Sequence, residues 1–221
     1  MKQFAKEIGA PDAIICDAAG KQTSGALREF CHKIGTALWV LEEGTPWAKK
    51  AELYIGILKE SVSKDMKESN APLVFWNYCV ERRAIIDNLT AKTNMFQMHG
   101  SNAHTYKMGE KGDISNICQF QFYEWCYYCD SANGFPHHFL VLGRVLGPSM
   151  GIGNKMAQWI LKVNGRVVSR SSACPLRTDE IYNYNEEKKR KVFDELIELC
   201  WVSSLNFPIN FTKTEDQEFE E

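Results

Sequence analysis

The chain has 221 residues, 44% of them apolar and 12% aromatic, which is enough core material for one or two domains. Its net charge of −2 excludes a uniformly basic nucleic-acid binder. The charge is uneven, however: from Glu180 onward eleven acids face five bases, so this segment carries −6 and the preceding body +4, a mild positive balance that permits phosphate contacts.

In chain order, Phe4, Ile8 and Gly9-Ala10-Pro11 read as the end of a helix, and Asp12 as a turn residue. Ala13-Ile14-Ile15-Cys16 is a short apolar run with the length of a strand, closed by Asp17. Gly20 and Ser24 follow, and then Leu27, Phe30, Cys31 and Ile34 fall on one helical face that Gly35 is placed to end. Residues 37–41 read as a buried strand and 42–46 as a loop. From about residue 48 to 66 a helix is expected. Lys49, Glu52, Gly56, Lys59 and Ser63 lie on one stripe, and Ala51, Ile55, Leu58, Val62 and Met66 on a second that should face the core. Gly56 in mid-helix costs about 1 kcal/mol against Ala, which a close approach of DNA or backbone would explain. Trp76, Tyr78, Val80 and residues 85–89 form a further helix, whose aromatics suit core packing better than base stacking.

Residues 1–95 therefore carry an α/β pattern, and 96–113, rich in Gly, Asn and His, read as a connector. Residues 114–179 read as short strands, at 118–123, 139–142, 159–163 and 166–169, with Glu124 to Tyr128 also alternating. Asn164-Gly165 is a hairpin turn, because both positions accept positive φ. Such strands suggest a small SH3-like β-barrel. Residues 147–153 have the glycines of a phosphate loop but no following Lys-Ser/Thr, so a hairpin loop is expected. In the last segment, 180–221, a helix over 186–202 carries Val192, Leu196, Leu199 and Cys200 on one side, and residues 213–221 have a disordered composition.

The eight cysteines sit mostly in apolar segments. With no signal peptide or membrane-spanning run, reduced thiols in the nucleus or cytoplasm are expected. Cys126 and Cys129, followed by His137 and His138, have zinc-ligand character, but no second CxxC stands nearby and the strand-like alternation needs no metal, which argues against zinc.

Two carboxylates, Asp17 at a strand end and Glu52 near a helix start, stand thirty-four intervening residues apart. Together with Leu27-Arg28-Glu29-Phe30-Cys31, Pro46 to Glu52 leading into Gly56-Ile57-Leu58-Lys59, Leu73 to Cys79, Val141 to Gly147 and Gly165 to Arg170, Asp17-Ala18-Ala19-Gly20 resembles the integrase of copia-type LTR retrotransposons, within the retroviral-integrase D-D-E superfamily. The resemblance covers residues 1 to about 179 in the family's order, with an Asp-to-Glu gap one residue shorter than usual. It implies an RNase H-like core followed by the SH3-like module, with Asp17 and Glu52 as the second and third members of the catalytic triad. It also implies a Mg (or Mn) cofactor held by both, and DNA contacts from Lys49, Lys59, Arg144, Arg166 and Arg170. The family's first Asp and its His-His-Cys-Cys zinc module lie in an upstream block with no counterpart here, so an integrase fragment is expected, inactive in strand transfer by itself. The complete enzyme would trim element ends and join them to target DNA as a homo-oligomer.

Asp and Glu suit that chemistry because magnesium takes oxygen ligands, and metal-bridged carboxylates can align attacking and leaving oxygens at phosphorus. Simpler readings stand beside it. Asp17 can be a cap or turn residue, Glu52 a solvated partner of Lys49, and the cations plain surface charges. A non-catalytic remnant that binds DNA or protein, or a distant RNase H-like nuclease, are the alternatives.

Overall fold

A computed structural model describes residues 2–7, 9–16, 25–41, 48–91, 100–130, 140–150 and 154–205, the side chains of 7, 48–51 and 201–205 excepted. The chain divides into two compact units, one of residues 1–68 and 72–113, the other of 69–71 and 114–221. Its fold is mixed α/β, with a parallel strand pair in the first unit and a five-stranded antiparallel sheet in the second.

The first unit opens with α1 (Lys2–Glu7), β1 (Ala13–Cys16), α2 (Gly25–Lys33) and β2 (Ala37–Val40). Gly35 ends α2 as the sequence predicts, since its φ of 70° is open to glycine without penalty. Its N–H donates to His32 O, and that of Thr36 to Cys31 O, which is the bonding of a Schellman motif. The same turn starts β2: Thr36 Oγ1 donates to Pro11 O and Ala37 N to Asp12 O. β1 and β2 are parallel, paired from Ala13 with Ala37 to Cys16 with Val40, and α2 forms the crossover.

Ile15 and Trp39 are register partners and so share a face of this pair, 48% and 60% exposed. That face has little cover, whereas parallel sheets are normally buried on both sides. α3 (Ala48–Ser69) shows the same contrast along its length. Val62 and Met66 are buried, as the expected core stripe requires, but Ile55 on the same stripe is exposed. α4 (Trp76–Leu89), entered through a 3₁₀ turn at Leu73–Phe75, packs near the C-terminal half of α3. There the Cys79 thiol lies 3.9 Å from Val62 O and Arg83 pairs with Asp65 at 3.7 Å. Phe75 and Cys79 are buried, which supports the core reading for this region, but Trp76 is exposed. The expected connector contains a helix of its own, α5 (Ala103–Met108), capped by the Asn102 side chain on Thr105 N and ended by Gly109 at φ 76°.

In the second unit α6 (Ser115–Cys118) precedes β3 (Trp125–Cys129), β4 (Leu140–Pro148), β5 (Gln158–Leu161), β6 (Val167–Arg170) and β7 (Cys174–Pro175). The strand expected over 118–123 is not formed. That segment runs from a helical turn into irregular chain, burying Phe120, Phe122 and Tyr123 and placing Tyr123 at φ 61°. The sheet order is β6-β5-β4-β3-β7, antiparallel throughout, with Gly165 at φ 77° in the β5–β6 turn.

The SH3-like expectation is corrected in part: among the described residues no strand pairing closes the row into a barrel. Asp130, just after β3, nevertheless reaches Lys162 at 2.6 Å and Arg170 at 3.7 Å, beyond β4, so the sheet is curled. Its concave core holds Phe120, Cys126, Tyr128, Val145, Ile160 and Ala173. α7 (Thr178–Ile181) leads into α8 (Tyr184–Leu205), which packs on β3. Phe193 meets Trp125 edge-on with ring centroids 5.2 Å apart, and the Tyr127 hydroxyl hydrogen-bonds Glu186. The loop residues 151–153 and the terminal residues 206–221 lie outside the described residues.

Candidate functional site

The parallel pairing of β1 and β2 brings the C-terminal ends of both strands to one edge, and Leu41 N donates to Cys16 O at 2.8 Å to extend that edge. Asp17 follows Cys16 directly in sequence and lies outside the described residues, so its position relative to Glu52 is not described. Glu52 stands in the second turn of α3, exposed, beside the exposed Leu53, Tyr54, Ile55 and Ile57. Lys59, two helical turns on, is exposed on the same stripe. Lys49 is helical in backbone, and its side chain lies outside what is described.

The three arginines of the second unit have different settings. Arg144 on β4 is the cross-strand partner of Trp125, and its side chain is only 13% exposed. Its guanidinium carbon lies 3.4 Å from the centre of the Trp125 ring and 4.4 Å from that of Tyr123. Nη1 donates to Tyr123 O at 2.9 Å, and Nη2 to both carboxylate oxygens of Asp194, at 2.9 and 2.8 Å. Burial lowers the Arg144 pKa, opposed by Asp194. Tyr123 is pushed up to about 12 by burial, with Arg144 pulling the other way. This arginine joins the sheet to α8, and the DNA contact expected of it is not open to solvent.

Arg170 is partly buried, pairing with Asp130 and donating to Ser169 O at 2.9 Å. Arg166, at the β5–β6 turn, is exposed. Sequence reading missed Asp130 and Asp194, because each acts on partners thirty-two or more residues away and no local pattern marks them.

Magnesium, implied for Asp17 and Glu52, calls for a set of converging oxygen donors. Among the described residues, which do not include Asp17, no three His, Cys, Asp or Glu side chains converge. Cys126 and Cys129 fall on opposite faces of β3, the first buried at 0% exposure and pushed up to about 12 by burial, so they do not share one ligand. Among the described residues no helix is long and apolar enough to cross a membrane.

No protein-family model matches the chain. No curated protein matches it either. Among solved structures it is similar to a chain of the cryo-EM structure of the simian T-cell lymphotropic virus intasome in complex with the PP2A regulatory subunit B56 gamma, at 14% identity and a TM-score of 0.39. The match covers 80% of this chain and 62% of that one, less than two thirds of its length, and a likeness at this level assigns neither fold nor function.

Proposed function

We propose that the chain is an integrase-type, DNA-handling protein, whose first unit derives from an RNase H-like core and whose second is its β module. The observation that carries this reading is the order β1, α2, β2, α3, with β1 and β2 parallel and Glu52 exposed near the start of α3. It is the arrangement that the resemblance running from Asp17 to Arg170 calls for. On this reading Asp17 and Glu52 are oxygen ligands for Mg or Mn, which when bound relieves phosphoryl charge and activates the attacking oxygen. Lys49, Lys59 and Arg166 hold backbone phosphates, whereas Arg144 and Arg170 serve the fold.

Duplex DNA binding, followed by fluorescence anisotropy across salt concentrations, tests this reading. The expected result is binding that weakens with salt, with a slope reduced by about one for each of Lys49→Glu and Lys59→Glu. Binding indifferent to salt and to both substitutions would sink it. A second reading, a module without turnover that binds through its sheet, rests on Arg166, which is exposed while Arg144 and Arg170 are held in ion pairs. Binding that survives Glu52→Gln and needs Arg166 supports that version, whereas turnover abolished by Asp17→Asn would overturn it.

A further inference from the structure

We propose that residues 206–221 lie back along α8 as a strap, with Phe207, Ile209 and Phe211 on its exposed apolar stripe and the acids after them at Lys188. On α8 Phe193 and Ile197 are buried, whereas Val192, Leu196 and Leu199 are 46%, 41% and 66% exposed. Asn185 and Lys188 continue the same helical face toward the N-terminus, since 185, 188, 192, 196 and 199 are spaced by three and four. A groove of about 570 Å³ lies beside that end, floored by Val141, Leu142 and Val163 and edged by Asn185, Lys188 and Val192. Stripe and groove meet at Val192, so together they form one track from Leu199 to Asn185.

The segment that follows α8 matches this track in pattern and reach. Pro208 has no N–H and keeps Phe207 out of the helical region, so a helix does not run on through it. Phe207, Ile209 and Phe211 alternate with Pro208 and Asn210, which puts the three on one face of an extended segment. Running back from Leu205, an extended chain brings Ile209 about 13 Å and Phe211 about 20 Å along. Leu196 and Val192 lie at about the same two distances from Leu205 along the helix axis.

Charge agrees at the far end. Residues 213–221 hold Glu215, Asp216, Glu218, Glu220 and Glu221 against one base, Lys213. Near the groove Glu186 and Glu187 are engaged, with Lys189 at 2.7 Å and Lys191 at 2.8 Å, and among the described residues Lys188 pairs with no acid. Lys188 is therefore the cation left at the groove's edge for Glu215 to Glu218. Covalent attachment sets an effective concentration in the millimolar range, so a contact too weak to hold a separate partner holds a strap. The inference is independent of the DNA reading.

Carbodiimide crosslinking of the full chain, read by peptide mass mapping on an equal mixture of ¹⁵N-labelled and unlabelled protein, tests it. The expected result is an amide between Lys188 and one of Glu215 to Glu218 within a single chain. Its yield should exceed about tenfold that at Lys155, an exposed lysine of the same unit off the groove. The double substitution Ile209→Asp and Phe211→Asp, which leaves α8 and the sheet untouched, should bring Lys188 down to the level of Lys155, as should Leu196→Glu. Equal yields at Lys188 and Lys155 in the unsubstituted chain overturn the proposal. So does a Lys188 yield indifferent to these substitutions, and so do crosslinks that join labelled to unlabelled chains, which would give the track to a second copy.

Discussion

Arg144 shows how the meaning of a cation depends on its surroundings. As a sequence letter on a β module it suggests a phosphate contact, but its cross-strand neighbour is Trp125 and its acid is Asp194, fifty residues on. Removing it leaves Asp194 without its partner and exposes the ring faces, so Arg144→Ala should cost about 2–3 kcal/mol by chemical denaturation. Arg144→Lys should recover only part of this, because lysine lacks the planar stack and the fork. Gly143 beside it is set by space: a Cβ there would meet Ile160 Cγ2 at 2.7 Å, Leu161 O at 3.0 Å and Tyr128 Cε1 at 3.0 Å. Gly143→Ala should therefore destabilise by about 1–3 kcal/mol through overpacking.

The same buried groups give a pH dependence. Burial pushes Cys126 and Tyr128 up to about 12, and Tyr123 as well, from ordinary values of 9 for the thiol and 10 for the phenols. Each folded-state pKa lies above its ordinary value, so between the two the folded protein keeps a proton that the unfolded chain has released. Stability from these groups is full below about pH 9 and is lost as pH rises toward 12, by up to about 1.4 kcal/mol per pH unit per group. A urea midpoint that stays level from pH 8 to 11 would contradict this. A fall at high pH that is shallower in Cys126→Ala would identify the thiol as one source.

At the scale of elements, local chemistry was readable and choices between equal faces were not. The strand at Ala13–Cys16, the helix ended by Gly35, the second strand and the Asn164-Gly165 turn are set by near neighbours, and the sequence showed each, although the second strand, expected buried, exposes Trp39 and Val40. The strand expected at 118–123 failed because Phe122 and Tyr123 are both buried, which alternation forbids; positive φ at Tyr123 makes it possible. On α8 periodicity grouped Val192, Leu196, Leu199 and Cys200 and passed over Phe193 and Ile197, which are the buried pair. The edge-on contact of Phe193 with Trp125 and the Arg144–Asp194 pair select the face that Val192, Leu196 and Leu199 do not share. For the candidate site, Glu52 and Lys59 fall on one helical stripe in the sequence, and both are exposed on α3. It could not tell which arginines of the β module would be drawn inward, since Asp130 and Asp194 are distant in the chain. Hydrogen exchange should rank the strands accordingly. Amides of Val145, Ile160 and Leu161, in a buried sheet, should exchange far more slowly than those of Ile15 and Leu38 in the half-covered parallel pair. Equal protection would mean that the first pair has cover not visible in its own burial.

Over the whole molecule, the two units differ in how well each buries its apolar side chains. The second has a continuous core from Phe120 to Ala173 and a helix fixed to its outer face by an edge-on ring contact and a short ion pair. Among the described residues the first buries, of its apolar side chains, only Cys16, Cys31, Val62, Met66, Phe75 and Cys79, and leaves Ile15, Trp39, Leu53, Ile57, Leu73 and Trp76 substantially exposed. Apolar area kept in water contributes nothing at about 25 cal/mol per Å², so the first unit is the weaker one. Unfolding should then depart from a single transition. Trp39 and Trp76 report on the first unit, and Trp125 and Trp159 on the second. Replacing Trp125 and Trp159 with Phe leaves a fluorescence signal weighted to the first unit, whose midpoint in urea should precede that of the variant carrying Trp39→Phe and Trp76→Phe. Trp125→Phe removes the indole face over Arg144, but the second unit is read in the other variant, where Trp125 is intact. Coincident midpoints in both variants, matching the transition by circular dichroism, would show that the exposed side chains of the first unit are stabilised as part of one cooperative structure.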